Sequence, residues 1–212
     1  MENDKVYKYM KVGSDVTDIT NIVNGKAWYG QWLWAWDKIK PYIKGDGIDC
    51  GCGMTPIPGA RPVEPNAVFG AGFKDVIKSP SENLDEVVPE NSLDFVFSSH
   101  SLEHTADWKK CIKNFVHVLK DRGVLILYIP HPAKDSWRAD GHRTDHKYNF
   151  CFDKLYDEVK EDIDLIYGTN MDDGYGALLF IGRKIPKGLL QWKPETEDRD
   201  LKLLQEYGET HK

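Results

Sequence analysis

The stretch Gly47 to Gly59, GIDCGCGMTPIPG, constrains the fold more than any other part of the chain. Its first residues, Gly47-Ile48-Asp49-Cys50, form a short apolar run that reads as a strand entering a sheet. Gly51-Cys52-Gly53 then reads as a tight turn. Glycine has no Cβ, so such a turn lets backbone N–H groups approach a ligand closely, at the carboxyl edge where open α/β sheets bind their ligands. Asp49 stands at the end of the strand, placed to hold a polar or positively charged group. By itself a glycine turn after a strand is weak evidence.

A second stretch, Ser92 to His104 (SLDFVFSSHSLEH), adds to it: an apolar strand from Leu93 to Phe97 runs into a polar, histidine-bearing loop. Together the two stretches resemble the class I S-adenosylmethionine-dependent methyltransferases, in particular the methyltransferase type 11-like small-molecule group. That group carries an acid-x-Gly-x-Gly turn, matched by Asp49, Gly51 and Gly53. Its Phe-Asp-x-Val strand and His-x-Leu-Glu-His signature are matched by Leu93-Asp94-Phe95-Val96 and by His100, Leu102, Glu103 and His104. Its Val-Leu-Lys-x-Gly-Gly turn is matched by Val118-Leu119-Lys120-Asp121-Arg122-Gly123. The resemblance covers about Lys38 to Ile185. It implies an α/β fold: a Rossmann-like, seven-stranded, mostly parallel sheet with helices on both faces and an antiparallel last strand.

At 212 residues the chain suits one domain with a sizeable core. We divide it into a polar N-terminal segment (1–26), a methyltransferase domain (27–186) and a charged C-terminal tail (187–212). The balance of 28 basic against 34 acidic residues argues against nucleic acid as the main partner, since phosphate binding wants a basic face. Four cysteines, at 50, 52, 111 and 151, lack paired metal spacing and suit a reduced, cytoplasmic protein. No apolar run approaches the roughly 20 residues that cross a bilayer.

Between these landmarks the periodicity places the remaining elements. Trp32, Trp36, Ile39 and Ile43 recur at helical spacing over Ala27 to about Lys40, Pro41 ends that helix, and Trp34 points elsewhere. Ala60 to Glu64 reads as the second strand, Asp75 to Lys78 as a third and Leu93 to Phe97 as the fourth. A helix starting near Ala106-Asp107 buries Trp108, Cys111, Ile112, Phe115, Val118 and Leu119. Val124 to Ile129 is the fifth strand, Phe152 to Lys160 a helix, and Asp164 to Thr169 and Ala177 to Lys184 the last two strands.

For the cofactor, S-adenosylmethionine, the resemblance implies the set Asp49, Gly51, Cys52, Gly53, Glu64, Ser81, Glu82, Leu84, Ser98, Ser99 and His100. Glu64 matches the acid that holds both ribose hydroxyls, a carboxylate being able to accept two donors. Pro80-Ser81 replaces the family's Asp-Ala pair at the adenine, so Ser81 or Glu82 takes over there, with Leu84 packing nearby. Methyl transfer from a sulfonium is an in-line displacement, so the protein chiefly positions the partners, and an oxygen acceptor also needs a base. His100 and His142 are the catalytic candidates. His104 is equally readable as the start of the next helix, and Glu103 as solvent-facing or fixing a loop.

The loop from His131 to Phe150 offers His131, Trp137, Arg138, Arg143 and His146 for the acceptor, a set suited to a small molecule or glycan, with a sugar hydroxyl as first choice. No metal is assigned; His142 and His146 with Asp140 or Asp145 are an alternative metal reading. A nicotinamide enzyme is disfavoured because Pro56 stands where its fingerprint has a third glycine or alanine. A non-catalytic binding protein on the same fold, and a protein or nucleic-acid methyltransferase, remain the rival functions.

Overall fold

The computed structural model describes residues 31–66, 73, 75–133, 139, 145–170 and 176–187. The N-terminal segment 1–26, Tyr29 and the tail from 188 onward lie outside the described residues. Its frame is a sheet of six strands: β1 (Gly47–Cys50), β2 (Arg61–Val63), β3 (Leu93–Ser99), β4 (Leu119–Pro130), β5 (Ile163–Asn170) and β6 (Ala177–Lys184). The strand order is β2-β1-β3-β4-β6-β5. β1, β2, β3 and β4 pair parallel, while β6 runs antiparallel to both β4 and β5.

Strict alternation along the strands divides the core into two layers, because successive side chains leave opposite faces of a sheet. On one face Val96, Leu125, Leu127, Leu178 and Phe180 pack with helices α2 (Trp108–Val118) and α3 (Phe152–Val159). On the other, Phe95, Phe97, Ile126, Tyr128, Leu179 and Ile181 pack with Trp32, Ala35 and Ile39. α2 keeps the expected buried stripe, and the Asp107 side chain caps it by accepting from the Lys110 N–H at 3.0 Å. None of the helices formed by described residues is long and apolar enough to cross a membrane.

Three expectations change. The third strand shrinks to a single bridge, Ile77 beside Val63, so the described sheet has six strands rather than seven. Asp75 before the bridge has φ 61°, a left-handed conformation that breaks extended backbone, and Pro80 follows soon after. Leu119 belongs to β4, not to the preceding helix, its backbone being already extended there. The described part of the aromatic helix is a 3-10 turn (Gln31–Ala35), one α-turn, α1 (Trp36–Ile39), and a second 3-10 turn (Lys40–Tyr42) holding Pro41. Trp32 and Ile39 are buried there and Trp34 is exposed.

Polar ties fix the amino edge of the sheet. Asp94 accepts from the Asp46 N–H at 2.8 Å and from Lys120 Nζ at 2.8 Å, joining the approaches to β1, β3 and β4. The buried Lys184 donates to the Leu119 carbonyl at 2.6 Å and to Asn91 Oδ1 at 2.7 Å, anchoring β6. At the start of β1 the Phe95 ring lies against Gly47, where an added Cβ would stand 2.3 Å from a ring carbon. Gly47→Ala is therefore expected to destabilise by about 1–3 kcal/mol, the usual cost of overpacking. At roughly 2–4 °C per kcal/mol for a chain of this size, a thermal melt would show it.

Candidate active site

Parallel pairing brings the carboxyl ends of β1, β2 and β3 to one edge, and the glycine turn lies there. Gly51 and Gly53 have φ 69° and 56°, the left-handed region glycine adopts without penalty. A Cβ on Gly51 would stand 2.0 Å from Ser101 Oγ, so the close approach of the next loop also requires glycine. A Cβ on Gly53 would meet nothing within 4 Å, because this residue faces open space.

That space is a cavity of about 600 Å³, within the range of small-molecule sites. Gly51, Gly53, Glu64, Ser81, Glu82, His100, Ser101, His104, Asp145 and Lys147 are among the residues lining it. Glu64 Oε2 accepts from the Gly53 N–H at 2.9 Å and Oε1 from the Asn66 N–H at 2.9 Å, so both oxygens are held at the cavity wall. Glu82 reaches across to accept from the Ala106 N–H at 2.7 Å.

The loop after the turn is not a helix. Pro56 and Pro58 withhold the donors a helix start would use, and the backbone is pinned from outside instead. Trp32 Nε1 donates to the Thr55 carbonyl at 2.8 Å, and Asp49 Oδ2 accepts from the Ile57 N–H at 2.8 Å. Asp49 is almost wholly buried, and burial pushes its carboxyl up to about 8 despite the opposing Ile57 hydrogen bond. Its Oδ1 has no hydrogen-bond partner among the described residues, and neither has Ser99 Oγ. Asp49 and Ser99 share a sheet face by strand alternation, the one lined by Phe95 and Phe97.

At the tip of β3, His100 takes φ 47° while its N–H donates to the Tyr128 carbonyl at 2.9 Å. A non-glycine residue held left-handed is locally strained. The bend turns residues 101–104 back over the glycine turn, with Leu102–His104 as a 3-10 turn. Glu103 is fully buried, which removes the solvent-facing alternative, and its carbonyl accepts from the Lys147 N–H at 2.7 Å, in keeping with the other alternative, a residue that fixes a neighbouring loop. Its Oε1 lies 3.7 Å from His100 Nδ1, 3.7 Å from His104 Nε2 and 3.9 Å from His146 Nε2. His104 Nδ1 stands 3.1 Å from the Asp145 carbonyl oxygen, and its ring meets that of His146 edge-on.

The remaining expected residues are spread more widely. Cys52 is buried beside the turn, and desolvation holds its thiol well above the ordinary value. Ser98 donates to the Cys50 carbonyl at 3.0 Å, knitting β3 to β1 away from the cavity. Leu84 packs in the α2 layer rather than on the cavity wall. His131 accepts from the Ala133 N–H at 3.2 Å, and partial burial lowers its basicity. Trp137, Arg138, His142 and Arg143, with Asp140, lie outside the described residues. Sequence reasoning did not single out Ser101, Asp145 or Lys147 as cavity residues. Asp145 and Lys147 are more than ninety positions from the glycine turn in sequence, and only the fold brings them in.

Residues 49–127 match the family model described as a methyltransferase domain. No curated protein sequence matches the chain. Among solved structures, a S-adenosylmethionine-dependent methyltransferase of Thermotoga maritima, described as a possible histamine N-methyltransferase, superposes with a TM-score of 0.57 at 16% identity, over 78% of this chain and 97% of that one. One from Archaeoglobus fulgidus gives 0.56 at 16% identity, over 74% and 95%. The 1,6-didemethyltoxoflavin-N1-methyltransferase of Burkholderia thailandensis, solved with its substrate and S-adenosylhomocysteine, gives 0.56 at 12% identity, over 79% and 85%. The cofactor that goes with this match is S-adenosylmethionine. The chain has the class I S-adenosylmethionine-dependent methyltransferase fold, with the methyltransferase-domain match running from the glycine turn through the strands that frame it.

Proposed function

We infer that the protein transfers a methyl group from S-adenosylmethionine to a small polar acceptor. The observation that carries this reading is the cavity at the strand tips, with an open glycine turn on one side and a two-oxygen acid on the other. A cofactor there fits the residues present. Glu64 would take the ribose hydroxyls, exchanging its backbone donors for sugar ones, and the Gly51–Gly53 amides would face the carboxylate end. Ser81 and Glu82 line the cavity where the adenine would lie. Asp49 Oδ1 and Ser99 Oγ, which have no hydrogen-bond partner among the described residues and lie beneath the cavity lining, would receive the cationic amine end.

The bound cofactor supplies an activated methyl group; the chain's own task is to orient the acceptor and take up its proton. His100 lines the cavity and is the candidate base among the described residues, with His142 a further candidate on the following loop. Asp145 and Lys147 add a hydrogen-bond acceptor and a donor at the same wall. Within the class of polar acceptors we favour a sugar hydroxyl, on the strength of the donor-rich loop between His131 and Phe150. The four free cysteines suit a reducing compartment, and we place the reaction in the cytoplasm.

Glu64→Gln is expected to weaken binding of S-adenosylmethionine and of its demethylated product about ten- to a hundredfold, since hydrogen bonds to a charged group contribute about 1.5–3 kcal/mol. Calorimetric titration measures this, and an unchanged affinity removes the assignment.

Asp49 makes a separate prediction in the cofactor-free protein. Its folded pKa lies above the ordinary 3.8, so the folded state holds the proton more tightly than the unfolded state. Stability must then fall as pH rises from about 4 to about 8. Asp49→Asn keeps an acceptor for the Ile57 N–H and removes the titration. Melting temperatures across that window should decline less in the variant than in the parent protein.

A further inference from the structure

We propose that Glu103, His104 and His146 form a binding site for a divalent transition-metal ion, set into the wall of the cavity. One ligand atom from each lies within 4.8 Å of the others. The separations of 3.7 and 3.9 Å from Glu103 Oε1 are too long for direct hydrogen bonds. They sit near the spacing of about 3.4 Å that ligands roughly 2.1 Å from a tetrahedral ion keep from one another. A few tenths of an ångström of side-chain adjustment closes that difference for the two pairs that share Glu103, and the third pair, within 4.8 Å, closes by up to about 1.4 Å through rotation of the His104 ring. His100 Nδ1, also 3.7 Å from the same oxygen, stands ready as a neighbouring donor.

The tautomer of His104 supports the assignment. Its Nδ1 faces the Asp145 carbonyl oxygen at 3.1 Å, and a carbonyl can only accept, so Nδ1 carries the hydrogen. In the neutral ring Nε2 then presents a lone pair, and that lone pair faces a carboxylate oxygen. Both atoms are electron-pair donors of the kind a transition-metal ion accepts. A histidine whose far nitrogen is held by a backbone carbonyl is the usual second support of a metal ligand.

Composition selects the ion. Two imidazoles and one carboxylate suit zinc, cobalt or a similar cation rather than magnesium or calcium, and this is a donor set of catalytic zinc sites. Glu103 and His146 are deeply buried, whereas the His104 side chain is 37% exposed and lines the cavity. The remaining coordination position therefore opens toward the cavity. A hydroxyl or carboxylate oxygen of the acceptor is the ligand that position would take.

The site can be tested without any methyl donor, so its failure and that of the methyltransferase reading are distinguishable. The untagged full chain, stripped with a chelator, is titrated with Co²⁺ and followed by visible absorption, with elemental analysis for stoichiometry. One equivalent, a d–d band displaced by Zn²⁺, and loss of affinity of at least about a hundredfold in both Glu103→Gln and His104→Ala are expected. His104→Ala removes a partly exposed side chain, and circular dichroism with thermal melts would verify that both variants fold. Absence of the band at saturating Co²⁺ overturns the proposal. A band that survives unchanged in either folded variant also overturns it.

Discussion

Everything at the functional edge depends on β1 lying between two parallel neighbours. Three of its residues pair with β2 on one side and all four with β3 on the other, so the three strands end together. Parallel strands place their turns on the same side, and polar backbone groups accumulate where the ladder stops. The Gly51 N–H still reaches the Val63 carbonyl at 2.8 Å, which stretches the β1–β2 pairing into the glycine turn. Glu64 then follows at the next position of the neighbouring strand, and its carboxylate arrives at Gly53 without a long side-chain excursion. Geometry of the ladder, more than any single side chain, brings the acid and the glycines together.

Beyond the turn the chain departs from the common arrangement in which a helix follows directly. Prolines at 56 and 58 remove the donors, so the segment needs external partners. Those partners are Trp32 from the N-terminal turn and Asp49 from beneath. Holding Ile57 with a buried carboxyl incurs desolvation, visible in the raised pKa. Trp32 and Ile57 belong to one apolar layer, so the 3-10 turn that carries Trp32 braces the loop after the glycine turn. This gives the aromatic cluster a role that hydrophobic spacing alone does not reveal.

What the sequence made legible is what short-range chemistry encodes. The continuous apolar runs of β3 and β4, the start of α2 near Asp107 with its apolar stripe, and the glycine turn all act over a few residues, and all appear in the structure. The third strand failed because its apolar residues could not outweigh a left-handed Asp75 and a nearby proline. For Glu103 the solvent-facing alternative falls and the loop-fixing one stands, but its partner was not legible, because His146 lies far along the chain and is carried in by the loop after β4. Contacts of that range leave no local mark in a single sequence. His142 and its neighbours stayed beyond reach for another reason, lying outside the described residues.

The contrast between the two walls of the cavity follows from this. One wall is built from strand ends and backbone amides, whose positions the sheet dictates; it suits a ligand whose shape does not vary. The opposite wall comes from the left-handed bend at His100 and from residues 145–147, where side chains rather than the ladder define the surface. Strain at His100 is tolerated because the Tyr128 carbonyl and the buried Glu103 fix both sides of the bend. Substitutions on that wall can alter what is recognised without disturbing the strands. A buried carboxylate ringed by three imidazoles is costly to assemble in an apolar setting and adds nothing to the ladder. It lies beside the wall where His104 and Asp145 line the cavity, apart from the strand ladder.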